Sequence, residues 1–180
     1  DLAPPRMPSY DEEFANYSVT VPDRYNPVVD ILERWSREQP DAMALISLDD
    51  AGEVIARQST SDLALESRKA ARALIAMNVG KGDRVLVMLP RHPAWYSAIL
   101  GAMRIGAVPI PTPTLSTARD LAYRLEASGA SAIITDEGGA SKLGTMQLKV
   151  PADRVVRSID EWQERLSAAG DGETPDDPTA

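Results

Sequence analysis

The sequence contains no cysteine and a single histidine, His92, in 180 residues. The first absence excludes disulfides, thiolate catalysis and Cys-ligated metal, and the second leaves no His-rich metal site. The most apolar region is interrupted by Pro90, Arg91, His92 and Arg104, so no run of about twenty apolar residues exists and no membrane span is expected. A basic-then-apolar signal pattern is missing from the N-terminus. Lack of cysteine fits a cytoplasmic protein. Asp1 in place of Met implies a processed or engineered start. Positive charge is in deficit, with 19 Lys and Arg against 27 Asp and Glu and a net charge of −8. That deficit is spread along the chain, which argues against nucleic acid or an anionic membrane as partner, although phosphorylated ligands remain compatible with local sites. Neither G-x-G-x-x-G, a serine elbow nor a P-loop is present.

What is present is an alternation of strand and helix signals, enough for one α/β domain. Residues 1–25, with Pro4, Pro5, Pro8 and Pro22, are expected to be an extended surface segment. Asn26-Pro27 is a cap followed by a first-turn proline, opening a helix that should pack through Val28, Ile31, Leu32 and Trp35. Runs 43–48 and 53–58, separated by Asp49-Asp50-Ala51-Gly52, predict a hairpin. A helix from Ser61-Asp62 to Asn78 carries Leu63, Ala70, Leu74 and Met77 on one face. Strand 84–88 then leads to a helix from His92-Pro93 to Gly106, with Trp95, Tyr96, Ile99, Leu100 and Met103 as its stripe. Strand 107–110, a helix after Ser116-Thr117, strand 132–135, a weak helix after residue 139 and strand 154–156 complete the alternation. A capping box of Ser158 and Glu161 opens the last helix. The fold class is therefore α/β, a mostly parallel sheet with helices on both faces, over residues 26–169. Residues 170–180 read as a linker.

Ligands of such sheets gather at the carboxyl ends of the strands, which directs attention to loops 89–92, 111–117 and 136–142. His92 is an acid-base candidate whose plainer role is a helix N-cap. Trp95 and Tyr96 either line an apolar pocket or pack in the core. The loop Pro111-Thr112-Pro113-Thr114-Leu115-Ser116-Thr117 offers hydroxyls and backbone donors, or simply caps the next helix. Asp136-Glu137-Gly138-Gly139-Ala140-Ser141-Lys142 is the nearest approach to an anion cradle, with a plain turn as its competitor. Asp49 and Asp50 sit in a turn, where an acid-base pair is disfavoured.

A family resemblance is carried by Tyr25-Asn26-Pro27 through Trp35, then Gln39 to Leu45; by Thr60 to Leu74 with Lys81-Gly82-Asp83-Arg84-Val85 after it; by Gly101-Ala102-Met103-Arg104-Ile105-Gly106-Ala107-Val108-Pro109-Ile110-Pro111; and by Tyr123-Arg124-Leu125-Glu126-Ala127-Ser128-Gly129-Ala130 with Ile133-Ile134-Thr135-Asp136 after it. Their order resembles the N-terminal subdomain of the adenylate-forming enzymes, closest to medium-chain and acetyl-type acyl-CoA synthetases. The resemblance implies an acid-thiol ligase that takes a carboxylic acid, ATP with Mg, and CoA, and proceeds through an acyl-adenylate. It also implies that the Ser/Thr/Gly-rich phosphate loop lies beyond Ala180, so no catalytic residue is carried over and the fragment alone is expected to be inactive. Acetyl-type relatives place basic side chains near the CoA phosphate in the region of 137–143 and glycines in the region of 113–116. Thr114 and Lys142 are the candidate cofactor contacts on that basis. The alternative is a stand-alone, non-catalytic CoA- or nucleotide-binding or scaffold module. Strand edges and apolar surfaces left bare in a fragment predict self-association.

Overall fold

Residues 9–20, 22–49, 51–170 and 172 are described by the computed structural model. Helix α1 (Tyr10–Asn16) is followed by a π-helical segment (Val28–Glu33) running into α2 (Arg34–Glu38). The hairpin β1 (Met43–Leu48) and β2 (Val54–Ser59) leads to α3 (Thr60–Ala76). Then come β3 (Arg84–Met88), α4 (Pro93–Arg104), β4 (Val108–Pro111), α5 (Ala118–Ser128), β5 (Ala132–Thr135), α6 (Glu137–Leu143), β6 (Val155–Val156) and α7 (Ile159–Ala169). The four strands of the main sheet run parallel in the order β4-β3-β5-β6, and the β1-β2 hairpin stands apart from it.

Alternation along β3 divides the core in two. Val85, Val87 and Leu89 face α3, α4 and α7, whereas Leu86 and Met88 face α5 and α6. Both sides of the sheet are thus covered, which explains why its strands are continuous apolar runs. The α3-α4 seam is built from small residues, and a Cβ on Gly101 would lie 2.8 Å from the Ala70 carbonyl carbon. Helix α7 docks by Trp162, whose indole N–H donates to the Ser97 hydroxyl at 3.0 Å. Helices α3 and α5 open with full capping boxes, Ser59 with Asp62 and Thr117 with Asp120. In each case a backbone N–H of the cap, reinforced by its hydroxyl, holds the aspartate below its ordinary value.

Five expectations change. Within the segment expected to be extended, Tyr10–Asn16 is helical, because Ser9 accepts from Glu12 N–H and three acidic residues complement the first turn; Pro4, Pro5 and Pro8 lie outside the described residues. The stripe Val28, Ile31, Leu32, Trp35 is not the packed face. The π-winding brings residues five apart onto one face, so Val28 and Glu33 are buried while Ile31 and Trp35 are exposed. On α4 the fully buried face is Ala94, Ser97, Ala98, Gly101, Ala102 and Arg104, since only small side chains permit the close approach of α3, while Trp95 and Ile99 of the expected stripe pack at its margin and Tyr96 is exposed. Residues 137–139, expected as loop, form the first turn of α6. Finally, the Ser158 hydroxyl accepts from Glu161 N–H, but the Glu161 carboxylate accepts from Arg157 N–H, one residue before the box position, with its other oxygen on Arg165.

Arg104 is fully buried and donates to Glu33, and to the Ser67 hydroxyl at 2.9 Å. Arg68 reaches the same Glu33 oxygen at 2.6 Å. Burial pushes the Glu33 carboxyl up, but hydrogen bonds and charge from Arg68 and Arg104 outweigh it and hold the group below its ordinary 4.5. Asn26 ties the same corner, donating to the carbonyls of Met103 at 3.1 Å and Arg104 at 3.0 Å.

The outer edge of β4 has a different device. Val108 and Thr112 donate their N–H groups inward, to Asp83 and Val87. The register therefore turns positions 109 and 111 outward, and both are proline. An edge without donors cannot pair with a further strand.

Two outcomes are expected. Glu33→Gln should lower unfolding free energy by about 3 kcal/mol, because Arg104 loses its buried partner. A carboxyl whose folded value lies below its unfolded one binds fewer protons when folded, so its contribution is present above the unfolded value and lost as pH falls through the folded one. Denaturant unfolding should show the wild-type advantage over Glu33→Gln shrinking as the pH falls below the ordinary 4.5 of the carboxyl. Replacing Pro109 and Pro111 together by Val restores two outward N–H groups, and light scattering should show more concentration-dependent association than wild type. Unchanged scattering would rule out the sealed edge.

Candidate functional site

The connection from β3 crosses to α4 on one face and that from β5 to α6 on the other. The carboxyl ends of β3 and β5 consequently flank the topological switch point, where ligands of open α/β sheets bind. Three loops converge at this end of the sheet.

After β3, His92 is the N-cap of α4, and its Nδ1 accepts from Ala94 N–H at 3.1 Å. Its plainer reading is the one the structure shows. Trp95 and Tyr96 meet edge to face with centroids 5.1 Å apart. Trp95 packs against the main core while Tyr96 stays exposed, and with Leu89, Pro90 and Arg91 the pair lines a cleft of about 220 Å³.

After β4, Thr112 and Ser116 are buried, whereas Leu115 is 92% exposed at the loop tip. Thr117 caps α5. After β5, the expected anion cradle does not form. Asp136 is the N-cap, and its Oδ1 takes the Gly139 N–H at 2.8 Å, removing that donor from any ligand. Gly139 serves packing instead, since a Cβ there would overlap Thr135 and come within 2.5 Å of the Met88 methyl carbon. Thr135 itself bonds the Met88 carbonyl at 3.1 Å.

Thr114 and Lys142, 28 positions apart, are brought together. The Lys142 ammonium donates to the Thr114 carbonyl oxygen at 2.6 Å. A lysine has three donors, so one is spent on tethering the β4-α5 loop to α6. Asp49 is a turn residue, its Oδ1 accepting from Ala51 and Glu53 N–H at 2.9 Å each; Asp50 lies outside the described residues. A larger cavity of about 510 Å³ lies between α5 and residues 146–150, at the amino ends of β5 and β6. Among the described residues no group of three or more His, Asp or Glu could hold a metal, and no helix is long and apolar enough to cross a membrane.

The family model described as AMP-binding enzyme matches residues 32–179. The chain belongs to that family. It is 34% identical over 140 residues to acyl-coenzyme A synthetase ACSM3, mitochondrial, of Mus musculus, covering 74% of this chain and 24% of that protein. To acyl-coenzyme A synthetase ACSM5, mitochondrial, of Homo sapiens it is 36% identical over 138 residues, covering 73% of this chain and 24% of the relative. The chain thus spans about a quarter of the length of these curated relatives. Among solved structures, the acyl-CoA synthetase of Brucella canis superposes with a TM-score of 0.80 at 25% identity, over 92% of this chain and 33% of that one. The N-terminal domain of FACL13 from Mycobacterium tuberculosis, at 22% identity and a TM-score of 0.73 over 84% of this chain and 38% of that one, shows the shared fold. The framework around β3, β4 and β5 is therefore that of the adenylate-forming enzymes.

Sequence reasoning missed the contact that holds this end of the molecule: the Lys142-Thr114 tether involves a backbone carbonyl, which no residue pattern announces.

Proposed function

We propose that this chain supplies the amino-terminal framework of an AMP-forming acyl-CoA synthetase, which joins a carboxylic acid to CoA with ATP and Mg, and that alone it does not adenylate. The observation that carries the reading is the ordered β3-α4-β4-α5-β5 framework in a chain 34% identical to a synthetase. Adenylation requires dense positive and N–H-rich stabilisation of phosphate oxygens. The 180 residues contain no Ser/Thr/Gly-rich loop ending in lysine, which supports inactivity. Lys142 and Thr114 belong to the CoA side of the reading: the tether positions the loop, and the remaining ammonium donors would serve a CoA phosphate. The lack of cysteine supports a cytoplasmic location.

Given ATP, pyrophosphate and octanoate, the chain should produce no exchange above a mock preparation; measurable exchange would refute the inactivity. Titrated with CoA, its amide resonances around Thr114 and Lys142 should shift, and Lys142→Met should weaken that binding about tenfold, as for a lost charge-assisted hydrogen bond. Shifts confined to other loops would remove both residues from the CoA side.

Self-association forms part of the same proposal. Ile46, Leu48, Val54 and Ile55 of the hairpin are exposed, and an apolar surface of this kind favours burial against another surface. Sedimentation should show a concentration-dependent shift from monomer, and a clean monomer at high concentration would count against it.

A further inference from the structure

We infer that the cavity between α5 and residues 146–150 is a binding site for a small, uncharged, largely apolar molecule whose polar head, such as a primary amide, both donates and accepts hydrogen bonds. The cavity shares no residue with the Lys142-Thr114 tether or with the cleft beside α4. It lies at the amino ends of β5 and β6, the opposite end of the sheet from the loops that present ligands in this fold class. The inference is therefore independent of the synthetase reading.

Size, lining and charge define the occupant. A volume of about 510 Å³ falls within the range of about 300–1,000 Å³ typical of small-molecule sites, and it has room for a body of two fused rings. Leu125, Ala130, Met146 and Leu148 pack against the second core and are only half-buried, and all four line the cavity. Covering such a surface with an apolar body releases water from it, and Met146 adapts its shape to the occupant. Two charged side chains also line the cavity, Glu126 from α5 and Lys149 from the facing segment. Both are exposed, and among the described residues neither makes a side-chain hydrogen bond or an ion pair. A cationic head would gain Glu126 and be repelled by Lys149, an anionic head the reverse, and either would carry its own desolvation cost into an apolar cavity. A neutral amide donates to the carboxylate and accepts from the ammonium, so it serves both groups without importing charge.

The walls are set before binding. Gly129 ends α5 in the left-handed conformation, with φ 58°, and Arg84 donates to the carbonyls of Ser128 and Gly129 at 2.9 Å each. That guanidinium is thereby spent on backbone behind the cavity. The facing segment is tied at one end by the Met146 N–H, which donates to the Leu143 carbonyl at 2.9 Å, and at the other by Val150, buried in the second core. A preformed cavity loses little entropy on binding.

The test is a titration of the isotope-labelled chain, without ATP or CoA, with 1-naphthaleneacetamide. The naphthaleneacetate anion and 2-(1-naphthyl)ethylamine serve as charged counterparts of similar shape. The methyl resonances of Leu125, Met146 and Leu148 and the amides of Gly129 and Ala130 should shift saturably, with a dissociation constant on the order of 1 mM for the amide. Each charged counterpart should bind at least about fivefold more weakly. Glu126→Ala and Lys149→Ala should each weaken the amide about threefold, as for the loss of one exposed hydrogen bond. The first should also narrow the gap between amide and anion, and the second the gap between amide and amine. Ala122→Trp, which fills the cavity from the exposed side of α5, should abolish binding. All three positions are exposed, so unfolding temperature, measured alongside, should be unaltered. The proposal is overturned by the absence of saturable shifts, by shifts centred elsewhere, or by binding that survives Ala122→Trp. Either ion binding as tightly as the amide would overturn the neutral head.

Discussion

The buried guanidinium of Arg104 is the constraint on which the rest of the fold is arranged. It ends α4 with no exposed surface, in contact with Ser67 of α3 and Glu33 of the π-helical segment. An unpaired charge there would be prohibitive, so the three elements must meet at this point or not fold. That requirement explains the π-winding: an ordinary helix beginning at the Asn26 cap would carry position 33 off the face occupied by Val28. It also explains the small-residue seam, since the Arg104 side chain reaches Ser67 only if α3 and α4 lie as close as Gly101 and Ala70 allow. A buried ion pair of this kind fixes register more than it adds stability, because desolvation offsets much of the attraction.

With that corner fixed, the sheet inherits a direction. The α3-α4-α7 layer covers one face, α5 and α6 cover the other, and the parallel order β4-β3-β5-β6 places the switch point beside β3. The proline alternation of β4 closes one edge of the sheet at no cost to the core, because Ile110 and its neighbours still pair inward with β3. Growth or pairing of the sheet is thereby confined to the β6 side. The hairpin is left with exposed apolar residues, Ile46, Leu48, Val54 and Ile55.

Much of this was legible in the chain. Gly and Pro punctuation marked β3, α4 and β4 closely, and His92-Pro93 gave the cap and first turn of α4 correctly. What failed was the choice of face. Helical spacing assigned the large apolar residues of α4 and of the π segment to the interior, whereas burial followed size and backbone winding: Ala94, Ala98 and Ala102 went in and Tyr96 stayed out. Hydrophobicity ranks residues by transfer free energy and says nothing about how closely two helix axes must approach. The Gly138-Gly139 pair misled for a related reason. Glycine permits an exposed cradle and a tight contact alike, and only the position of Thr135 beneath Gly139 decides between them. The proximity of Thr114 and Lys142 came from family resemblance, while the contact itself is made to a carbonyl and has no side-chain signature.

The carboxyl end of the sheet is distinguished by what its backbone withholds. Thr112 N–H goes to Val87, Ser116 N–H to Pro113, Ala94 N–H to His92, Gly139 N–H to Asp136 and Ala140 N–H to the Asp136 carbonyl. These five donors are therefore spent within the protein and are withdrawn from any set that could stabilise developing charge on a phosphate or an oxyanion. Their positive groups sit on side chains, Arg91 beside the aromatic cleft and Lys142 beside the tethered loop. Side-chain charges on a rigid base recognise and orient an anion, and they leave the stabilisation of a transition state to groups elsewhere. Chemistry on phosphorus calls for dense positive and N–H-rich stabilisation, and the amides already committed to caps and loop contacts at this end of the sheet cannot supply it.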